Sequence, residues 1–247
     1  MKIVRHIPNF ITSLNLLCGA VGVVFSFNGR PDLAFALMLA ASVFDFLDGF
    51  CARLLGAYSE MGRELDSLSD LVSFGLLPSV MLFNLMRSVC SPATALPGTA
   101  LSWYLFLPLL LVVGSGLRLA KFNVDARQEH GFLGLPTPAC ALLCGSLCLY
   151  AAAVPAGRIA LWCASPWFIP CLVLLLCALL LSEIPMFSMK FSREDSGLLK
   201  AKRIIFVLGA ACIIAAVVFC HAHWSLAVLL IFVFYLVKNV IYAAFRL

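Results

Sequence analysis

Eight apolar runs divide the chain, at about residues 8–28, 33–57, 67–87, 100–122, 136–155, 165–182, 203–220 and 223–245. Each approaches the roughly 20 residues that a helix needs to cross about 30 Å of hydrocarbon. Only helices satisfy their own backbone in lipid, so the pattern predicts an all-α, polytopic membrane protein with about eight transmembrane helices. The sixth run is short, and the last two are joined by a tight link near Cys220 to His223. MKIVRHIPNFITSLNLLCGAVGVVF starts basic, but its apolar stretch is long and lacks a small-residue cleavage site. That predicts a retained first helix rather than a cleaved signal. No internal repeat interrupts the series, and one membrane-embedded domain over residues 1–247 is expected.

Composition agrees with the pattern. The 247 residues are 63% hydrophobic and 12% charged, against about 25% charged in a soluble domain. Charge then adds a direction. With the N-terminus in the cytoplasm, all but Arg30, Arg87 and Arg158 of the 17 Lys and Arg residues fall in cytoplasmic segments. This positive-inside bias predicts that both termini face the cytoplasm, in a cell membrane. The basic link from Lys190 to Arg203 is expected to lie on anionic headgroups, and no nucleic-acid partner is expected. Eleven cysteines include no CxxC pair, and most sit inside apolar runs. Cys140, Cys144 and Cys148 share one helix face and read as small apolar packing residues.

One segment breaks the apolar pattern. DFLDGFCARLLGAYSEMGRELDSLSD, from Asp45 to Asp70, places four aspartates at the end of the second run and the start of the third. Asp45 and Asp48 are three apart, and Asp66 and Asp70 are four apart, so each pair shares a helix face. A cytoplasmic hairpin between the two helices brings the faces together. Four carboxylates in a partly apolar setting repel one another and are costly to bury. Arg53 and Arg63 offset part of that charge. Divalent metal is the economical remainder: carboxylate oxygens suit Mg²⁺ or Mn²⁺. Mg²⁺ held by few carboxylates completes its shell with water and substrate phosphates, which points to a phosphate-bearing substrate. Gly49, Ala52 and Gly62 leave room for close approach, and the Arg53 guanidinium suits a phosphate.

The whole reads D-x2-D-G-x2-A-R-x8-G-x3-D-x3-D, filled by Asp45, Asp48, Gly49, Ala52, Arg53, Gly62, Asp66 and Asp70. It resembles the signature of the CDP-alcohol phosphatidyltransferases, which move a phosphatidyl group from a CDP-linked lipid to an alcohol and release CMP. The resemblance implies that Asp45, Asp48, Asp66 and Asp70 hold metal, two ions of Mg²⁺ or Mn²⁺, and that Asp70 is also the general base. It implies that Gly49, Ala52, Arg53 and Gly62 line the nucleotide pocket and that the protein is a homodimer. Pro8, Asn9 and Thr12 in IPNFITSLN also resemble the family. Asn9 and Thr12 either reach the cytidine or cap the first helix.

Later segments lean toward one acceptor. Ser73, Phe74, Gly75 and Pro78, SGLRLAKFNVD (Ser115 to Asp125) and GFLGLPTPA (Gly131 to Ala139) resemble the serine-using branch, the integral-membrane CDP-diacylglycerol–serine O-phosphatidyltransferases. That resemblance covers residues 1–150, the expected catalytic part, and leaves 160–247 as accessory helices. It implies CDP-diacylglycerol and L-serine as substrates within membrane lipid. Serine carries a carboxylate, which Arg118 and Lys121 suit. Asn123 adds a hydrogen bond, and Arg127 is a more distant candidate. Lys121 stands where that branch would carry Arg, which weakens a bidentate clamp. Topology alone also explains these cations. Pro136 and Pro138 open the fifth helix, and Glu183 is either functional or solvated at the interface. A sister enzyme using glycerol 3-phosphate, an inositol phosphate or choline, and a divalent-cation transporter, are the rival readings. A transporter would carry polar residues through both halves of the membrane, and here the acids cluster toward one face.

Overall fold

The computed structural model describes residues 6–90, 103–124, 132–186 and 197–244. Asp125, Arg127, Gly131 and the 187–196 part of the basic link lie outside the described residues. The described residues are helical apart from one antiparallel pairing of two-residue strands, β1 (Phe132–Leu133) with β2 (Pro185–Met186), and short connecting turns. The helices are α1 (Ile7–Phe27), α2 (Pro31–Leu55), α3 (Glu60–Asp70), α4 (Leu77–Cys90), α5 (Leu110–Val124), α6 (Thr137–Ala153), α7 (Arg158–Cys163), α8 (Phe168–Leu181), α9 (Gly197–Phe219) and α10 (Trp224–Ala244). Among the described residues, five stretches are long and apolar enough to cross a membrane: Ile7–Phe27, Pro31–Leu55, Glu60–Val89, Trp103–Val124 and Trp224–Tyr242. Thr137–Ala153, Phe168–Leu181 and Arg203–Phe219 are shorter apolar helices. The protein is a multi-pass, all-helical membrane protein.

Two local departures from the expected pattern shape the site. The third helix starts at Glu60, seven residues before the third apolar run, because Ser59 caps it by accepting from the Gly62 amide at 3.0 Å. Polar residues of the first turns hide that start from a hydropathy pattern. Residues Leu71–Leu76 then form a π-helical stretch between α3 and α4. Trp103–Leu109, around Pro108, is a 3₁₀ helix leading into α5. Asn9 and Thr12 lie inside α1, whose N-cap is His6 without a side-chain bond. The capping alternative is therefore overturned: the Thr12 hydroxyl donates back to the Pro8 carbonyl at 3.0 Å.

α6 sits at the centre of the bundle. Cys140, Ala141, Leu143, Cys144, Leu147 and Cys148 are all buried, as the apolar-packing reading of the cysteines expects. Gly145 lets Phe35 of α2 pass: a Cβ there would stand 2.6 Å from the ring. Outward-facing Phe10, Leu17, Val24, Phe46, Leu54, Leu174, Val207 and Val218 are exposed, the arrangement a lipid-facing surface requires.

α1 is bound to the α3–α4 rod by polar rungs. The Ser69 hydroxyl donates to the Thr12 carbonyl at 3.0 Å, and the Ser73 hydroxyl donates to the Asn15 carbonyl at 2.9 Å. Gly19 permits this approach, since a Cβ there would lie 2.8 Å from the Ser73 Cα. Small residues at such crossings are the usual means of close helix packing in membranes. Gly19→Val forces the two backbones apart. An overpacked contact of this kind costs about 1–3 kcal/mol, and a lowered melting temperature in detergent is the expected result.

Candidate active site

α2 ends where Gly56 takes a left-handed conformation, φ +58°, and Ala57 to Ser59 turn the chain back into α3. This hairpin sets Asp45 and Asp48 against Asp66. One carboxylate oxygen from each of the three lies within 4.8 Å of the other two. Asp48 Oδ2 and Asp66 Oδ1 are buried and have no hydrogen-bond partner. Orphaned, clustered, hard oxygen donors fit a divalent cation and fit little else. Asp70 stands one turn further along α3, buried, and accepts from Asn15 Nδ2 at 3.4 Å. Thr12 reaches the Asp48 carboxylate from α1.

A pocket of about 520 Å³ opens directly from this cluster. Asn9, Thr12, Gly49, Ala52 and Gly62 line it together with Asp48 and Asp66. The two glycines act differently. Gly49 faces open space, with the Arg53 guanidinium the nearest group at 3.8 Å from a built Cβ. At Gly62, a Cβ would lie 2.9 Å from Asn9 Oδ1, so glycine there makes room for the Asn9 side chain. Arg53 itself is exposed and is not part of the lining. Tyr58, Ser59, Glu60 and Arg63 line the pocket as well, and the sequence reading assigned none of them to the nucleotide. Tyr58 and Ser59 fall in the turn, where no periodicity marks a face, and Glu60 and Arg63 in the polar first turn of α3. Arg63 also lies 3.8 Å from Glu64.

The candidate acceptor residues separate. Arg118 is 7% exposed, donates from Nη1 to Thr137 Oγ1 at 3.1 Å, and lies over the Phe122 ring at 5.2 Å. Its ionisable neighbours include Asp70, Tyr235 and Asp45. Lys121 instead pairs with Glu183 at 3.3 Å, both partly exposed. That contact is worth about 0.2–1 kcal/mol. Asn123 Nδ2 donates to Ser67 Oγ at 2.8 Å, tying the end of α5 to α3. The sequence reading also passed over Asn15 and Tyr235. Asn15 was available to it as a polar residue three after Thr12 in an apolar helix. Tyr235 carried no such signal, because nothing in the sequence places α10 against α6.

The CDP-alcohol phosphatidyltransferase family model matches residues 5–173. Among curated proteins, a CDP-diacylglycerol–serine O-phosphatidyltransferase of Mycobacterium leprae is 36% identical over 189 residues, covering 73% of this chain and 57% of that protein. The Bacillus subtilis protein of the same name is 33% identical over 138 residues, 54% of this chain and 70% of its own length. An archaetidylserine synthase of Methanothermobacter thermautotrophicus is 33% identical over 145 residues, 58% of each chain. The match thus spans less than two thirds of the mycobacterial and methanogen relatives.

Proposed function

Because the chain belongs to the CDP-alcohol phosphatidyltransferase family, we propose that it transfers the phosphatidyl group of CDP-diacylglycerol to the hydroxyl of L-serine, giving phosphatidylserine and CMP. The observation that carries this reading is the Asp45–Asp48–Asp66 cluster, with two orphaned oxygens, at the wall of a nucleotide-sized pocket. Serine as acceptor is supported by the names of the relatives and by the buried cation Arg118 near Asp70.

Asp45, Asp48 and Asp66 hold Mg²⁺ or Mn²⁺ in this reading. A divalent cation there supplies Lewis-acid neutralisation of the diphosphate. Asn9, Thr12, Gly49, Ala52 and Gly62 seat the nucleotide, with Arg53 and Arg63 close by to meet phosphate charge. The diacylglycerol stays in the bilayer beside the exposed apolar flanks of α1 and α2. Asp70, held by Asn15, accepts the proton of the serine hydroxyl. The hydroxyl oxygen forms a bond to the phosphorus that bears diacylglycerol. The bond from that phosphorus to the bridging oxygen breaks, and CMP leaves with that oxygen. Positioning and electrostatics supply most of the acceleration in such displacements. Arg118 receives the serine carboxylate. Lys121 and Asn123, engaged with Glu183 and Ser67, brace the wall behind it. The basic residues gathered at this end of the bundle favour a cytoplasmic site.

The test is CMP release by purified protein in detergent with CDP-diacylglycerol and Mn²⁺ or Mg²⁺, offering serine, glycerol 3-phosphate, inositol phosphate and choline separately. Release that requires serine is expected. Release with a different acceptor overturns the serine assignment and keeps the phosphatidyl-transfer site.

A further inference from the structure

The turn into α6 is gripped by the end of α8. Gly134 donates its amide to the Ile184 carbonyl at 2.9 Å, and Leu135 donates to the Leu179 carbonyl at 2.9 Å. Just before them, the strand pairing sets Phe132 against Met186 and Leu133 against Pro185. Leu179 belongs to the last turn of α8, whose carbonyls have no partner within the helix. Gly134 takes φ +76°, and a Cβ there would stand 2.7 Å from both the Leu180 and the Ser182 carbonyl oxygens. Glycine is what lets the turn lie flat on that helix end. Three residues later α6 starts at Thr137, which is 0% exposed and whose hydroxyl oxygen receives Arg118 Nη1 at 3.1 Å. α8 also holds the helix that carries Arg118. Cys177 of α8 donates to the Leu110 carbonyl at 3.6 Å, and its Sγ sits 3.0 Å from a Cβ built on Gly114 of α5. Glu183, two residues past α8, meets Lys121 of α5. Leu179 to Met186 lie beyond the residues 5–173 that the family model matches.

We propose that the end of α8 is a fixed template for the Arg118–Thr137 pair, and that Gly134 and Thr137 are positioning residues for the transfer. This role rests on the reading that Arg118 receives the serine carboxylate, and deepens it. A guanidinium on a flexible stem loses rotamer freedom when it is ordered. A hydroxyl already in place at the helix start meets that cost before the ligand arrives. Where the hydroxyl stands depends on where α6 begins, and the grip on Gly134 and Leu135 decides that. Where the guanidinium is rooted depends on α5, which α8 holds as well. One support thus registers both partners. The segment after the family match then takes part in transfer without touching either substrate.

The experiment is CMP release by purified protein in detergent with Mn²⁺, against L-serine and then against CDP-diacylglycerol, with melting temperatures taken with and without Mn²⁺. Thr137→Val keeps the shape and loses the hydroxyl. It is expected to raise the serine KM about tenfold, the scale of one hydrogen bond to a charged group. The KM for CDP-diacylglycerol and the stabilisation by Mn²⁺ stay at wild-type values, and Thr137→Ser restores the serine KM. Gly134→Ala is expected to reproduce the Thr137→Val pattern from outside the site, with a lower melting temperature. A cross-link decides the matter even where Gly134→Ala does not fold. Leu133 and Pro185 are directly opposed in the antiparallel pair, so their Cα atoms fall within reach of a disulfide. The oxidised double variant Leu133→Cys, Pro185→Cys is expected to keep its kcat and serine KM, with wild type oxidised alongside to control for native thiols. Turnover lost on oxidation and recovered on reduction means that the pairing opens during the cycle, and overturns the template. A pair that does not cross-link overturns it too. So does an unchanged serine KM in folded Thr137→Val or Gly134→Ala, or a joint shift of both KM values, which marks a general structural role. Wild-type protein that releases no CMP with serine instead fails the underlying reading, a result that no variant is needed to see.

Discussion

Asp70→Asn is expected to lower serine-dependent CMP release by about 10²- to 10⁴-fold, the usual contribution of a positioned general base. The change is nearly isosteric. An amide at this position still meets Asn15 across 3.4 Å after its terminal group turns to present oxygen, so the helix and its rungs to α1 persist. On the proposed mechanism, what disappears is the proton acceptor beside the attacking hydroxyl. The loss should therefore fall on kcat, with CDP-diacylglycerol binding retained and the melting temperature unchanged or higher, since one buried anion is removed from a cluster of four. A variant with near-normal turnover would remove Asp70 from proton transfer and leave it a structural hydrogen-bond acceptor for α1.

The second large effect concerns metal and is read without turnover. Mn²⁺ added to wild-type protein in detergent is expected to raise its melting temperature, because a ligand that binds only the folded state stabilises by about 2.7 kcal/mol at one hundred times its dissociation constant. Asp48→Asn and Asp66→Asn should each show the reverse pair of signs. Without metal they melt higher than wild type, since a like charge is gone from oxygens that stand within 4.8 Å of one another. With Mn²⁺ they gain little, since the oxygen set is broken. Chelation of wild type should bring CMP release to background, and readdition of Mn²⁺ should restore it. Equal metal-induced stabilisation in wild type and in both variants would sink the assignment of the cluster as the metal centre.

How far the sequence carried the structure depended on whether the signal was local. The apolar runs marked the helices because lipid demands helical self-satisfaction from every segment. The Asp45–Asp70 segment was readable because both carboxylate pairs sit at helical spacing on either side of one short turn, so only a hairpin was needed to bring Asp45, Asp48 and Asp66 together. The start of α3 was not readable from hydropathy, because Ser59 capping rather than an apolar residue begins it. Nor was the division of labour on α5. Arg118 and Lys121 are three apart, yet one is buried by Thr137 of α6 and Phe122, while the other is drawn off by Glu183 after α8. That choice is made by partners 19 and 62 residues away. Asn15 and Ser115 look like ordinary polar interruptions in apolar helices until the packing shows which of their atoms lack partners.

The widened turn at Leu71–Leu76 has a consequence for how this chain tolerates change in length. A single residue in a helix carries about 100° of rotation and 1.5 Å of rise. A π turn holds about one residue more than an α turn, so the stretch absorbs one residue that a regular helix from Glu60 to the end of α4 would pass on as rotation. Were the same residues wound as a regular helix, the half that carries Asp66 and Asp70 would turn by about 100° relative to the half that carries Leu77 and Met81, both fully or almost fully buried. Either the carboxylates or the core would face the wrong neighbour. The segment is a phase adjuster between a carboxylate-bearing half-helix and a packing half-helix. Substitution of its side chains is a matter of volume, whereas insertion or deletion in the regular helix on either side of it is a matter of angle, and the angle is what the rest of the bundle has no means to restore.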